Sequence, residues 1–519
     1  MAAADPGAAE AAIDAGADPG LTPPPAEPAL AAADPAAAEA SLDRDADAGT
    51  TVAPAQTAIA GPAAPVAATT SASPIDRTGA PARPLRITIV AANPFEFDSR
   101  FLRSATSLAE DGHQLRILGW SGPDLPRTEE LAPGVTLTRL DVDRRISSVL
   151  RPLPRRVRKL MCKAVGLDPR ATVLPPDRPV GLDKLRHPIR RVLELAANAR
   201  RVGPWTDLVV REAGDTDVFH CQSFIVLPVA RAAAARVGGR FVYDVADYHS
   251  EAARLARMPW MFRELVRRRE KRWVTDAAGF LAVSDPVADL LVRRWKADPR
   301  PGIVLNCPPA WRPESPEAPV SSRLHEAAGI SPERPIVLYQ GGFSVDRGVE
   351  ELVAAIDQHA LRELDAAAVF MGYGRLQGFL EEAARAHPDR VYVLPAVPPD
   401  DLLSWTAGAD VSFVGQPPRT LNQRMNLPNK LFESIMAGVP VVVSKGNEQC
   451  RLVTAESLGR CADIDDPAAV AREIAGLMRQ PVSERQRLRD HVRRVALDRY
   501  TWDGTAGDLV TLYRRLAAQ

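Results

Sequence analysis

Three short stretches of this chain combine residue types that could seat and neutralise an anion. The first is Tyr339-Gln340-Gly341-Gly342-Phe343-Ser344-Val345-Asp346-Arg347-Gly348, a strand running into a small-residue turn with a helix starting near Val349. Gly341 and Gly342 let a ligand approach the backbone, and amides at a helix start favour negative charge. Arg347 is the cation suited to phosphate, because one guanidinium can engage two oxygens at once. An ordinary strand-to-helix loop carries the same letters, so this turn alone does not choose between the two readings. The second stretch, Met371-Gly372-Tyr373-Gly374, also leaves a strand. Gln377 stands where a dinucleotide fingerprint needs its third glycine, and the turn follows the second strand of its series. Both points argue against a nicotinamide site and leave Gly372 and Gly374 as a close-approach turn for a different nucleotide.

The third stretch is the most informative: Asn426-Leu427-Pro428-Asn429-Lys430-Leu431-Phe432-Glu433-Ser434-Ile435-Met436-Ala437-Gly438-Val439-Pro440-Val441-Val442-Val443. Pro428 and Asn429 start a helix, and Gly438 ends it ahead of a buried strand. The positive end of that helix then faces the carboxyl side of a sheet. Lys430 can neutralise phosphate there, and Glu433, one turn in, can accept both hydroxyls of a ribose. A lone glutamate would read as an exposed helix residue; the whole string does not.

These stretches need a sheet to position them. Leu85 to Ala92 is a β-branched run bounded by Pro84 and the Asn93-Pro94 turn, a helical pattern follows over Phe101 to Ala109, and His113 to Leu118 reads as the next strand. That is the strand-helix-strand rhythm of a parallel sheet. It recurs at Val218–Phe219, Arg240 to Tyr243, Gly279 to Val283 and Ile303 to Leu305. A second series begins with the strand Pro335 to Gln340 and the helix Val349 to Gln358. Further strands are expected at Ala366 to Met371, Val391 to Leu394, Val411 to Val414 and Val439 to Val443. The fold class is therefore α/β, two doubly wound Rossmann-like domains facing a central cleft where ligands bind at strand carboxyl ends. The expected boundaries are a disordered tail at 1–83, a first Rossmann-like domain at 84–306, a linker at 307–334, a second Rossmann-like domain at 335–498 and a C-terminal helix at 499–519.

Composition fits that organisation. The 519 residues are 46% hydrophobic and 25% charged, too many for one ordinary domain. Lys plus Arg and Asp plus Glu both total 65, so the chain lacks the excess positive charge of a nucleic-acid binder. No run reaches the length of a spanning helix, and the start lacks a basic-then-apolar secretory pattern, so a cytoplasmic protein is expected. Cys162, Cys221, Cys307, Cys450 and Cys461 form no CxxC pair and read as reduced thiols, without disulfide or zinc. Charge is unevenly spread. Residues 1–80 hold 30 Ala, 11 Pro, no aromatic residue, and eleven acids against Arg44 and Arg77. Such a segment is expected to remain disordered. Residues 144–201 hold 16 Lys and Arg against Asp168, Asp177, Asp183 and Glu194, interleaved with Val149, Leu150, Leu153, Val157, Leu160, Met161 and Val165. This insertion reads either as an interfacial element for an anionic membrane or as a solvated basic face packed on its own domain.

The third stretch resembles the signature of the family 4 glycosyltransferases of the GT-B fold, in the branch carrying PNKLFE…AGxPVV. The resemblance extends over most of the chain. Asp98-Ser99-Arg100-Phe101-Leu102-Arg103, followed by Leu108 to His113, is similar to the family's acceptor-side strand and loop. Tyr243-Asp244-Val245-Ala246-Asp247-Tyr248-His249-Ser250-Glu251 resembles its YDxHELYxE segment, and Tyr500-Thr501-Trp502 with the helix from Thr505 to Leu516 resembles the tail that crosses back. The resemblance implies transfer of a sugar from a nucleotide diphosphate to a saccharide or lipid-linked acceptor, retaining anomeric configuration. It implies no metal and no cofactor beyond the nucleotide-sugar co-substrate, and work at the inner face of the membrane, peripherally bound through 144–201, in cell-surface polysaccharide or glycoconjugate synthesis.

By the same resemblance, Arg347 and Lys430 bind the donor pyrophosphate, Glu433 holds the ribose, and Gly341 and Gly342 border the transferred sugar. Gly372, Gly374, Asn426 and Asn429 complete the donor side, and Ala396 to Pro398 meet the base. Asp247 and His249 are the catalytic candidates, with Asp98 and Arg100 on the acceptor side. Three positions depart from the family. Met425 stands where a paired glutamate is usual, Gly342 where many relatives carry a phosphate-binding arginine, and Ala246 in place of a histidine. They keep two alternatives open, a nucleotide-sugar epimerase of the same fold and a catalytically inactive, glycosyltransferase-like binding subunit.

Overall fold

The computed structural model describes residues 71–95, 98–171, 183–252, 255, 258, 260–313 and 323–519. They fall within one compact unit spanning Ala67–Gln519. The expected tail over residues 1–70 and the negative stretch of the linker at 314–322 lie outside the described residues.

The first sheet has eight strands. β1 (Arg86–Val90), β2 (Gln114–Trp120), β3 (Thr128–Ala132), β4 (Val135–Leu140), β5 (Val218–Cys221), β6 (Arg240–Val245), β7 (Gly279–Ala282) and β8 (Gly302–Ile303) lie in the order β3-β4-β2-β1-β5-β6-β7-β8. All neighbours are parallel except β3 against β4. The inner strands β1 and β5 are buried nearly throughout, as expected when helices cover both faces of a parallel sheet. The second sheet runs β11-β10-β9-β12-β13-β14 and is wholly parallel. Its strands are β9 (Ile336–Gly342), β10 (Ala367–Tyr373), β11 (Val391–Leu394), β12 (Val411–Val414), β13 (Val441–Ser444) and β14 (Gly459–Ala462).

Helices joining the first sheet include α1 (Ser99–Glu110), α2 (Arg155–Val165), α3 (Asp183–Ala213), α4 (Leu227–Val237) and α5 (Trp260–Val274). In the second, the ones that matter here are α6 (Val349–Ile356), α7 (Leu421–Met425), α8 (Asn429–Met436) and α9 (Glu448–Ala455). The chain ends with α10 (Gly507–Ala517), which packs on the first sheet. Trp502, Leu509, Leu512, Tyr513 and Leu516 join a core shared with Ile87, Ile89 and Leu108. Burying each large side chain contributes roughly 1.5–3 kcal/mol, enough to fix this return across the domains. Polar contacts add direction: Tyr513 Oη lies 2.9 Å from His220 Nδ1, and Trp502 Nε1 donates to Ser107 Oγ at 2.8 Å.

Several expectations change. Residues 71–83, assigned to the tail, dock on the C-terminal segment: Ile75 N donates to Asp503 O, Gly507 N donates to Ser73 O, and Arg77 pairs with Glu110 and Asp503. Low aromatic content hid this because the contacts are mainly backbone and ionic. The β3–β4 hairpin and β14 were not foreseen; β3 and β14 (TEELA, GRCA) lack a strong apolar pattern, while β4 (VTLTRL) does alternate. The strand expected at Ile303 to Leu305 is only Gly302–Ile303. Within the expected linker, Arg323–Ala328 is helical, and Leu324 and Ile330 enter the core of the second sheet.

The cysteine reading is also corrected. Cys450 on α9 and Cys461 on β14 form a disulfide with Cα atoms 5.7 Å apart. They stand eleven positions apart in sequence, and the pairing of β14 with β13 brings them together. Cys162, Cys221 and Cys307 are free and buried.

The basic insertion forms α2 and most of α3, around a small core of Ile146, Leu150, Cys162 and Leu167. Pro154 caps α2 at its start. α3 instead contains Pro188 and Pro204. Leu160 is 68% exposed and Leu185 74%, so an apolar fringe accompanies the basic residues.

Candidate active site

The site lies where the carboxyl ends of the two sheets face each other. α8 begins directly after Pro428, leaving its first amides without helical partners and its positive end turned to the cleft. Lys430 stands in its first turn. Its ammonium lies 3.8 Å from the centroid of the Tyr339 ring, is shut off from solvent, and has no hydrogen-bond partner among the described residues. Burial and then the nearby charge of Arg347 push its pKa well below the usual lysine value, with Glu433 pulling the other way. Glu433 is raised by burial, opposed by a hydrogen bond from Gln340 and by the charges of Arg103 and Lys430. Gln340 Nε2 donates to Glu433 Oε2 at 2.9 Å.

The turn after β9 places Arg347. Asp346 has φ 62° and is tied to Arg419 at 3.1 Å. Gly348 has φ 90°, and a Cβ there would lie 2.2 Å from Gly415 O, so only glycine fits. Between these two fixed residues Arg347 projects exposed, with no ion pair among the described residues. Gly341 and Gly342 end β9 with open space around them. Gly372 is different. It pairs with Gly341 in the β9–β10 register, and a Cβ on it would lie 2.1 Å from Gly341 O. Gly374 is crowded in the same way by Phe343 backbone atoms. Strand packing therefore accounts for both glycines without a ligand.

Across the cleft, Asp247 Oδ1 accepts from Asn422 Nδ2 at 2.9 Å and from Asn426 Nδ2 at 3.0 Å. Tyr248 N donates to Asn422 Oδ1 at 2.8 Å, so one asparagine grips both residues. His249 stacks on Phe224 with centroids 6.2 Å apart. Asp247, His249, Arg347, Asn422 and Asn426 all line one cavity of about 900 Å³.

The two acceptor-side candidates do not reach it. Arg100 is buried and gives a two-point ion pair to Asp244, at 3.0 and 2.8 Å, plus a bond to Val304 O. Asp98 caps α1, accepting from Phe101 N and from Asn93 Nδ2. Both roles are structural, because Arg100 lies on the buried face of an amphipathic helix. Met425, which stands in place of the family's glutamate, is buried in the apolar core. Asn429 is engaged by Asn306.

Sequence reasoning missed Arg103, one turn beyond Arg100. It donates to Asn306 Oδ1, which links onward to Asn429 at the start of α8. Its guanidinium lies 5.3 Å from the Trp502 ring centroid, and burial pushes its pKa down to about 10, with Glu433 the largest opposing charge. Two arginines three apart on an otherwise apolar helix face were the available signal. Among the described residues, no group of three or more His, Cys, Asp or Glu is placed to hold a metal ion.

Residues 334–480 match the family described as glycosyl transferases group 1. The chain has the GT-B fold, and its second domain carries the match to that family. Two curated relatives align with this protein. A D-inositol 3-phosphate glycosyltransferase of Xylanimonas cellulosilytica is 28% identical over 255 residues, covering 47% of this chain and 58% of its own. A GDP-mannose-dependent alpha-(1-6)-phosphatidylinositol dimannoside mannosyltransferase of Mycobacterium tuberculosis is 27% identical over 195 residues, covering 36% of this chain and 46% of its own. The matched segment thus spans about half of each relative's length, 58% of the first and 46% of the second. Among solved structures, sucrose-phosphate synthase from Thermosynechococcus elongatus superposes with TM-score 0.58 at 16% identity, covering 83% of this chain and 99% of that one. Anabaena Alr3699/HepE in complex with UDP and glucose gives 0.53 at 15%, covering 84% and 98%. At such identities this protein shares their fold; Arg347, Lys430 and Glu433 all fall within the matched 334–480.

Proposed function

We propose that this protein is a glycosyltransferase that moves a sugar from a nucleotide diphosphate donor to a hydroxyl of a saccharide or lipid-linked acceptor. The observation that carries the reading is the orphaned Lys430 ammonium at the start of α8, flanked by Arg347 and Glu433. A buried cation without a hydrogen-bond partner is costly, and a diphosphate would satisfy it. Arg347 is the second phosphate contact. Glu433, held by Gln340, is the ribose acceptor, and Asn426 with the α8 amides completes the donor side. Gly341 and Gly342 leave room for the transferred sugar. In this reading Asp247 and His249 face the acceptor hydroxyl, transfer retains configuration, and cations with the helix end stabilise the departing diphosphate in place of a metal. The curated relatives are named as glycosyltransferases and one solved neighbour holds UDP and glucose, which supports a nucleotide-sugar donor.

The exposed apolar side chains of α2 and α3 among basic residues support a peripheral position at an anionic membrane face, and with it a role in surface polysaccharide or glycoconjugate synthesis. No helix among the described residues is long and apolar enough to cross a membrane. The deciding experiment is a thermal-shift screen with UDP, GDP and ADP, followed by incubation of nucleotide sugars with and without acceptors. A raised melting temperature with one nucleotide is expected. Arg347→Ala and Glu433→Ala should each weaken that nucleotide by roughly tenfold to a hundredfold. Unchanged binding in both variants removes the assignment, and donor epimerised without acceptor points to an epimerase instead.

A further inference from the structure

The cavity that reaches Asp247 and Arg347 continues well beyond the groups assigned to the donor. Lys430 and Glu433 are not among its lining residues. It extends into the first domain between α3, the start of α4, and α5, where Leu195, Val202, Ile225, Met258, Leu265 and Trp273 line it. A volume of about 900 Å³ stands at the upper end of the roughly 300–1,000 Å³ typical of small-molecule sites. Arg191, Glu194, Asn198 and Arg231 line the same stretch and can meet a polar head, while the six apolar side chains suit a hydrocarbon chain and would leave the hydroxyls of a sugar without partners. One wall residue marks the opening: Leu265 lines the channel yet is 50% exposed. Met261, one helical turn earlier on the same face, is 65% exposed, and neighbouring Trp260 is 72% exposed. Arg269, also on α5, lines the channel and forms no ion pair among the described residues.

We propose that the acceptor carries an apolar chain, and that the channel between α3, α4 and α5 holds this chain while the acceptor hydroxyl lies beside Asp247. The proposal rests on the glycosyltransferase reading and narrows it: it selects a lipid-linked acceptor over a free saccharide. The apolar wall supplies affinity, Arg269 meets a phosphate near the chain's head, and Met261 and Trp260 stand at the mouth where a chain would leave a lipid surface.

The test uses the full chain and alkyl phosphates below their micellar concentrations. Octyl, decyl and dodecyl phosphate are titrated by calorimetry against inorganic phosphate, and the nucleotide found in the thermal-shift screen is titrated in parallel. Each added pair of methylenes entering the channel should tighten binding by about tenfold. Ala199→Trp fills the channel from its exposed edge, and Leu265→Glu places a charge in its mouth. Both variants should bind dodecyl phosphate at least tenfold more weakly while binding the nucleotide unchanged. Retained nucleotide binding shows that the variants are folded. The proposal is overturned if alkyl phosphates bind no better than phosphate, or if both variants keep the parent's affinity, which would place the chain on the outer apolar fringe. Either result with normal nucleotide binding leaves the glycosyltransferase reading standing. Alkyl binding without any nucleotide binding removes that reading instead, and with it the word acceptor.

Discussion

Asn422 of the second domain donates its side-chain amide to the Asp247 carboxylate of the first at 2.9 Å, and its carbonyl accepts from the next residue's backbone, Tyr248 N, at 2.8 Å. The carboxylate nearest the proposed reaction centre is therefore oriented by the opposite domain. Replacing Asn422 with alanine should lower kcat more than it raises KM, because the residue positions Asp247 and does not bind the donor. Asp247→Ala should lower turnover by about a hundredfold or more, the scale of a lost acid–base or positioning group. Steady-state kinetics on both variants would check this, and a rise in KM alone for Asn422→Ala would contradict it.

Lys430 gives a pH signature. Burial and Arg347 lower its pKa in the free protein, so its ammonium loses its proton at a lower pH than an ordinary lysine. A bound diphosphate reverses that preference. Nucleotide binding should weaken as pH rises and should be accompanied by proton uptake, both effects vanishing in Lys430→Met. Calorimetry in buffers of different ionisation enthalpy measures the uptake directly. Proton release in the wild type, or equal pH dependence in Lys430→Met, would show that another group dominates.

The Arg100–Asp244 pair is a structural element, with both side chains almost wholly buried. Burial alone would raise the Asp244 pKa, but the Arg100 guanidinium, with His220, holds it below the usual carboxylate range. A depressed folded-state pKa gives stability that is present above the unfolded value near 3.9 and lost as pH falls through the folded one. Arg100→Ala should cost about 3–5 kcal/mol in urea unfolding at neutral pH, because it leaves an uncompensated buried carboxylate. A loss below about 1 kcal/mol would put the residue back among candidates for ligand contact.

Glu270 on α5 behaves in the opposite sense. It is fully buried, and burial pushes its carboxyl up to about 8, partly offset by hydrogen bonds from Ser250 and Tyr243. The folded state thus favours the neutral acid. Stability from this group is full below its unfolded value and declines as pH rises until the folded value of about 8 is passed. Glu270→Gln should remove that decline and leave the variant a few kcal/mol more stable than wild type at pH near 9, relative to their difference at pH 4. Parallel urea melts at the two pH values decide it; parallel stability curves would mean the carboxyl stays ionised.

How much of this was legible beforehand depends on how local each feature is. The start of α8, with Pro428, Lys430 and Glu433 in order, is written in consecutive residues, because helix caps and turn glycines act over a few positions. The same holds for the Arg347 turn and for the inner strands of both sheets, whose largely apolar runs point to burial. Gly372 and Gly374 were found for the wrong reason. Their spacing suggested a ligand, whereas the backbone of the neighbouring strand is what excludes a side chain.

The sequence by itself determined the alternation of strands and helices, the two-domain division, and the identity of the cations and carboxylate at the head of α8. Those properties follow from periodicity and short-range chemistry. Only the tertiary structure decided that Arg100 is an internal counter-ion, that the charge of Arg103 bears on Glu433, that Asn422 grips Asp247, and that Cys461 lies against Cys450. Each of these, save the disulfide, joins residues more than a hundred positions apart, and the disulfide depends on an added edge strand. A contact between distant residues is set by how whole sheets and helices pack, and no short window of sequence contains that information.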